Sequence, residues 1–210
     1  MAIVLLTALA SVSAVLHIRA EYRGALRETY IFKPLTMIFI ILIAFLTHVR
    51  VTPVYKDLIV GGLCVSLLGD IFLMLPPRMF LPGLVSFLIA HLFYIVAFTL
   101  TGAGVLPSVW LIPFLLYGCL MFWVLSEYLG KLRIPVASYM LVILLMGSQA
   151  LSRWLRTDQA GSESAALGAL LFIASDSLLA VNRFKGKSYH APLYVMSTYY
   201  SAQWFIAHSI

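Results

Sequence analysis

Apolar residues run along this chain in long blocks, with the polar residues gathered between them. About eight blocks are long enough to cross a bilayer, which takes roughly 20 residues per helix. They run from about Ala2 to Leu16, Ile31 to His48, Asp57 to Leu75 and Leu81 to Thr101, then Pro107 to Tyr128, Ile134 to Leu151, Ser162 to Val181 and His190 to Ile210. Pro53, the pair Pro76 and Pro77, Pro82, Pro107 and Pro135 fall near block ends, where prolines start or stop helices. The first block has no basic region before it and no small-residue cleavage site leading into a soluble domain, so it reads as a span rather than a cleavable signal. No linker or low-complexity tract remains. The pattern predicts an all-α, polytopic membrane helix bundle, with residues 1–210 forming a single transmembrane helical domain.

Composition supports that pattern. Of 210 residues, 62% are hydrophobic and 10% charged, with a mean hydropathy of +1.01; soluble domains carry roughly 25% charged residues. The net charge of +6 reports topology, not nucleic-acid binding. Arg19, Arg23, Arg27, Lys33, Arg78, Lys131, Arg133, Arg183, Lys185 and Lys187 fall on the odd-numbered connections, against Arg50, Lys56, Arg153 and Arg156 on the even ones. The positive-inside rule makes the odd connections cytoplasmic and leaves both termini outside, as expected of a bacterial inner-membrane protein. Cys64 and Cys119 lie inside predicted spans, where a buried thiol acts as a small hydrophobe, and two such residues give neither a disulfide framework nor a zinc pattern.

Two carboxylates break the apolar runs. Asp70 interrupts Ser66 to Leu75, and Asp176 interrupts the run after Phe172. A charge at mid-span costs ~2.5–3.5 kcal/mol on insertion scales, which makes each residue a candidate for function. Asp70 is ~9 Å and Asp176 ~10 Å from the cytoplasmic ends of two spans running the same way. Carboxyls at one level can meet and share one proton, giving an acid and a base. The plainer reading of either is a structural hydrogen bond between helices. His91 and Tyr94 share a helix face, as do Tyr199 and Gln203; Ser66 lies one turn from Asp70, and Lys33 enters from the cytoplasmic end of its span. The interval from Asp70 to Tyr94 equals that from Asp176 to Tyr200, an echo that would make two parallel four-helix repeats with a site between them.

Other groups carry less. Asp70, His91 and Asp176 are a conceivable metal set, yet no close His pair supports it, and His190 and His208 lie at opposite ends of one span. His17 and His48 read as interface residues. Ser175 and Ser177 flank Asp176 but do not face it, so a Ser-His-Asp arrangement is disfavoured. Tyr117, Trp123, Tyr139, Trp154 and Trp204 read as packing or interfacial belt residues, and Asp158 and Glu163 as outer-surface residues.

Several short motifs occur in order: Lys33 and Pro34 with the following Leu; Gly69 and Asp70 with the following Ile-Phe-Leu-Met; Phe80, Gly83 and Phe87; Ala90, His91 and Tyr94; Ser175, Asp176, Leu179, Asn182 and Phe184; Tyr199, Tyr200 and Gln203. In this ordered set the chain resembles the YhhN family, which includes the animal lysoplasmalogenases. The resemblance implies hydrolysis of the vinyl ether bond of a lysophospholipid substrate, a lysoplasmalogen, to a fatty aldehyde and a glycerophospho-base, without a cofactor or metal. It places the catalytic aspartates at Asp70 and Asp176. Lys33, Ser66, His91, Tyr94, Ser175, Asn182, Tyr199, Tyr200 and Gln203 become binding or supporting residues, with Lys33 and either Arg183 or Lys185 on the phosphate. Partners would be the lysolipid and membrane lipids. Read from the residues alone, a proton-coupled transporter or a metal-dependent intramembrane lipid hydrolase suits the same groups.

Overall fold

The computed structural model describes residues 1–103, 109 and 111–210. Eight α-helices follow one another: α1 (Ala2–Arg23), α2 (Leu26–Leu46), α3 (Pro53–Met74), α4 (Phe80–Phe98), α5 (Leu111–Leu125), α6 (Arg133–Arg156), α7 (Ser162–Ala180) and α8 (Ala191–His208). No strand occurs among the described residues. Pro107 and the expected start of the fifth span lie outside them. Among the described residues, six helical segments are long and apolar enough to cross a membrane. The two others are α5, with 15 residues, and α8, whose length is shared among Ser, Thr, Tyr and Gln.

The surface is the inverse of a soluble protein's. Leu5, Phe45, Leu68, Leu92, Val96, Leu116 and Trp123 face outward, while Lys33, Asp70, His91, Gln203 and Arg153 are buried. Such a surface fits hydrocarbon, which has nothing to offer an exposed polar group. This is an integral membrane protein. Cys64 and Cys119 belong to that outer surface, contrary to their expected burial.

Helix ends are set by local chemistry. The Thr52 hydroxyl accepts the Tyr55 N–H at 3.1 Å, and Pro53 opens α3 where its missing N–H is no loss. Gly24 takes the left-handed conformation (φ 63°) that closes α1, with the Ala25 N–H reaching back to the Ala20 carbonyl at 3.0 Å. That closure joins α1 to α2 by a two-residue turn, so α1 runs on to Arg23 and α2 starts at Leu26, well beyond the expected block edges. Arg153, expected on an outer connection, is buried in α6, with its guanidinium 4.6 Å over the Tyr55 ring and donating to the Tyr55 hydroxyl at 3.1 Å.

The helices pack as hairpins, α1 on α2, α3 on α4 and α7 on α8. Contacts α2–α3 and α6–α7 correspond, as do α4–α6 and α8–α2. This is the pairing that two four-helix repeats require. Helix α5 rests on α6 and on the π-helical turn Val181–Lys185 that follows α7.

Candidate active site

A cavity of ≈ 250 Å³ is lined by residues of all eight helices, and both Asp70 and Asp176 line it. Its apolar wall comes from Leu84, Phe87, Met121, Val136, Met140, Ile143 and Ile173; its polar end carries Glu21, Lys33, Asn182 and Arg183. A long apolar wall with a few converging polar groups suits an amphiphile with one aliphatic tail.

The two aspartates sit in different surroundings. Asp70 is buried, with Lys33 Nζ 3.3 Å from its Oδ1 and the Tyr199 hydroxyl donating to its Oδ2 at 2.6 Å. Lys33 therefore spends its charge on Asp70, not on the cytoplasmic surface where the sequence reading put it. A buried ion pair with a further donor is how an apolar interior tolerates two charges. Behind it, Gln203 Nε2 donates to the Tyr199 oxygen at 3.2 Å, and the Tyr94 hydroxyl donates to Gln203 Oε1 at 3.1 Å. Three helices thus fix the orientation of one carboxylate.

Asp176 is half-buried and makes no ion pair among the described residues. The Tyr139 hydroxyl donates to its Oδ2, and His91 Nε2 lies 3.0 Å from the same hydroxyl. Tyrosine has one proton. Having given it to Asp176, Tyr139 accepts from His91, which fixes the Nε2–H tautomer. The His91 ring is clamped edge-on against Phe172, with centroids 4.7 Å apart. Tyr139 is therefore part of the site and not a packing residue as expected.

The remaining candidates divide. Ser175 donates to the Val195 carbonyl at 3.0 Å and ties α7 to α8, and Asn182 accepts the Ser188 N–H at 2.8 Å while lining the cavity mouth. Ser66 is buried one turn below Asp70. Tyr200 does not line the cavity; its hydroxyl pairs with His17 Nδ1 at 2.9 Å. His17 is fully buried, not interfacial as expected. Among the described residues, no three His, Cys, Asp or Glu side chains converge as a metal site. Sequence reasoning also missed Glu21, which it did not single out and which lines the cavity, and Tyr117, which was expected to be a packing or belt residue but lines the cavity and donates to Ser177 Oγ at 2.7 Å.

Known proteins resemble this chain along most of its length. The model of the YhhN family matches residues 28–210. A human protein named Lysoplasmalogenase TMEM86B is 37% identical over 149 residues, which is 71% of this chain and 61% of that protein. Its pig counterpart is 37% identical over 171 residues, 80% of this chain and 70% of that one. An Escherichia coli O157:H7 protein named Uncharacterized membrane protein YhhN is 31% identical over 166 residues, 78% of each chain. No solved structure matches.

Proposed function

The chain belongs to the YhhN family, and from that premise we propose that it is a lysoplasmalogenase-type hydrolase, cleaving the vinyl ether bond of a lysoplasmalogen to a fatty aldehyde and a glycerophospho-base. The observation that carries the reading is the pair of aspartates, differently partnered, on the wall of one largely apolar cavity. The names of the mammalian relatives supply the substrate class.

The partners divide the labour. Asp70, balanced by Lys33, is assigned the carboxylate; Asp176, held at Oδ2 by a neutral hydroxyl, keeps Oδ1 for a proton directed into the cavity. Asp176 gives that proton to the outer alkene carbon, and the ether oxygen shares the resulting positive charge as an oxocarbenium ion. The Asp70 carboxylate faces that cation and removes a proton as water adds to the carbon. Asp176 then takes the hydroxyl proton of the hemiacetal, and Asp70 returns its proton to the departing glycerol oxygen. Both residues end as they began, and the net reaction consumes one water.

The aliphatic tail follows the apolar wall. Arg183 suits the phosphate: its guanidinium stacks 3.9 Å over the Phe80 ring, which leaves the edge donors open to the cavity mouth, and it has no ion pair among the described residues.

The test is aldehyde release from lysoplasmenylethanolamine by the purified protein, with Asp70→Asn and Asp176→Asn alongside. Each variant is expected to lose at least about 10²-fold in kcat while eluting as folded protein. Undiminished turnover in either variant removes that aspartate from the mechanism. No aldehyde from the folded wild type overturns the reading.

A further inference from the structure

We propose that Glu21 is the ammonium-binding half of a zwitterionic head-group subsite, with Arg183 as the phosphate-binding half; the inference rests on the lysolipid reading of the cavity. Glu21 is the one acidic residue of α1, and it lines the same cavity as Arg183 and Asn182. It lies outside the residues matched to the family, which begin at 28. Nothing in the proposed chemistry uses it.

The carboxylate is held ready. His17, one turn earlier on α1, places Nε2 3.4 Å from Glu21 Oε1, while its Nδ1 pairs with the Tyr200 hydroxyl at 2.9 Å. The imidazole is fully buried and the carboxylate about a third exposed, with a relative accessibility of 34%. The ring is hydrogen-bonded at Nδ1 and keeps Nε2 within ion-pairing reach of one carboxylate oxygen. The turn at Gly24 then brings α1 back against α2, so that Glu21 and Lys33 line one cavity.

Charge balance selects the ligand. Lys33 is paired with Asp70, so among the described lining residues the Glu21 carboxylate, beside the His17 imidazole, and the Arg183 guanidinium are the remaining charges of opposite sign. A phosphate alone answers only Arg183 and meets repulsion from Glu21. A phosphoethanolamine or phosphocholine head group answers both, with its cation a few bonds beyond its anion. Selection by a repulsive group as much as by an attractive one is how such sites discriminate.

Non-hydrolysable alkyl-ether lysolipids test this independently of catalysis. Binding of alkyl lysophosphoethanolamine and of alkyl lysophosphatidic acid, which lacks the ammonium, is measured for wild type and for Glu21→Gln in detergent. Wild type is expected to favour the ethanolamine lipid by up to about fivefold, as an ion pair in a partly exposed site gives. Glu21→Gln, which keeps the shape and an oxygen for His17, is expected to erase that preference, with the lysophosphatidic acid bound as well as before or better. Equal affinity of the wild type for both lipids, or an equal loss of both in the variant, overturns the subsite. Binding with this selectivity but no aldehyde release overturns the hydrolase reading alone.

Discussion

Lys33 and Asp70 are each unfavourable to bury alone and tolerable together, and this changes what a substitution at Lys33 should do. With the ammonium 3.3 Å from Asp70, Lys33→Met leaves a buried carboxylate without its cation, which costs roughly 3–5 kcal/mol. The expected result is a lower Tm in detergent and a fall in kcat, with KM changed less than kcat. A rise in KM alone would return Lys33 to the phosphate role that the sequence suggested. Tyr139→Phe is a second probe: it keeps the ring against His91 and removes both the donor to Asp176 and the acceptor for His91 Nε2. Its kcat is expected to drop about 10- to 100-fold at unchanged KM, with Tm lowered by the unpaired His91 N–H, which costs about 1–3 kcal/mol; full activity would reduce Tyr139 to packing. The aspartates were legible in the sequence because a lone charge inside an apolar run stands out. Tyr139 was not, since it is one of 11 tyrosines and its role depends on which way α6 turns against α7.

At the scale of the helix, the close hairpins rest on glycines at matching places. A Cβ on Gly62 of α3 would lie 2.3 Å from Tyr94 Cε1, and one on Gly168 of α7 would lie 2.9 Å from the Ala202 carbonyl and 2.8 Å from Ile206 Cγ1. The interval from Gly62 to Gly168 is the one that separates Lys33 from Tyr139, Asp70 from Asp176 and Tyr94 from Tyr200. In each half, a side chain of the second helix contacts the aspartate of the third, Lys33 in one and Tyr139 in the other. Only part of this echo was readable from sequence, because a Lys and a Tyr in equivalent places do not look alike. The two glycines are expected to respond differently. Gly168→Ala meets backbone that cannot swing aside and should lower Tm, at a cost of about 1–3 kcal/mol. Gly62→Ala meets a ring that can rotate, so it should retain more stability but disturb the Tyr94 bond to Gln203 and lower kcat. Thermal unfolding beside turnover separates them, and the opposite ranking in Tm would show that α3–α4 is the tighter hairpin.

For the whole molecule, the decisive relation is between charge and the cavity mouth. Arg183 at the mouth belongs to the same set of connections as Arg19, Arg23, Arg27 and Lys185, the set rich in Lys and Arg. We propose from the positive-inside rule that this end is cytoplasmic; the substrate head group should then be taken from the cytoplasmic leaflet while the tail remains among apolar side chains. The count is uneven enough to survive moving Arg153 into the core, because that residue came from the poorer side. The proposed orientation predicts an asymmetry that needs no mutation. Inverted bacterial inner-membrane vesicles, given lysoplasmenylethanolamine from outside, should release aldehyde at once. Right-side-out vesicles of equal protein content should release it only as fast as the lipid crosses the bilayer, and detergent should equalise the two. Prompt release from right-side-out vesicles alone would invert the topology, and with it the assignment of both termini to the outer face. Equal prompt release from both would mean that the cavity is reached from either leaflet, which a mouth confined to the Arg183 end does not permit.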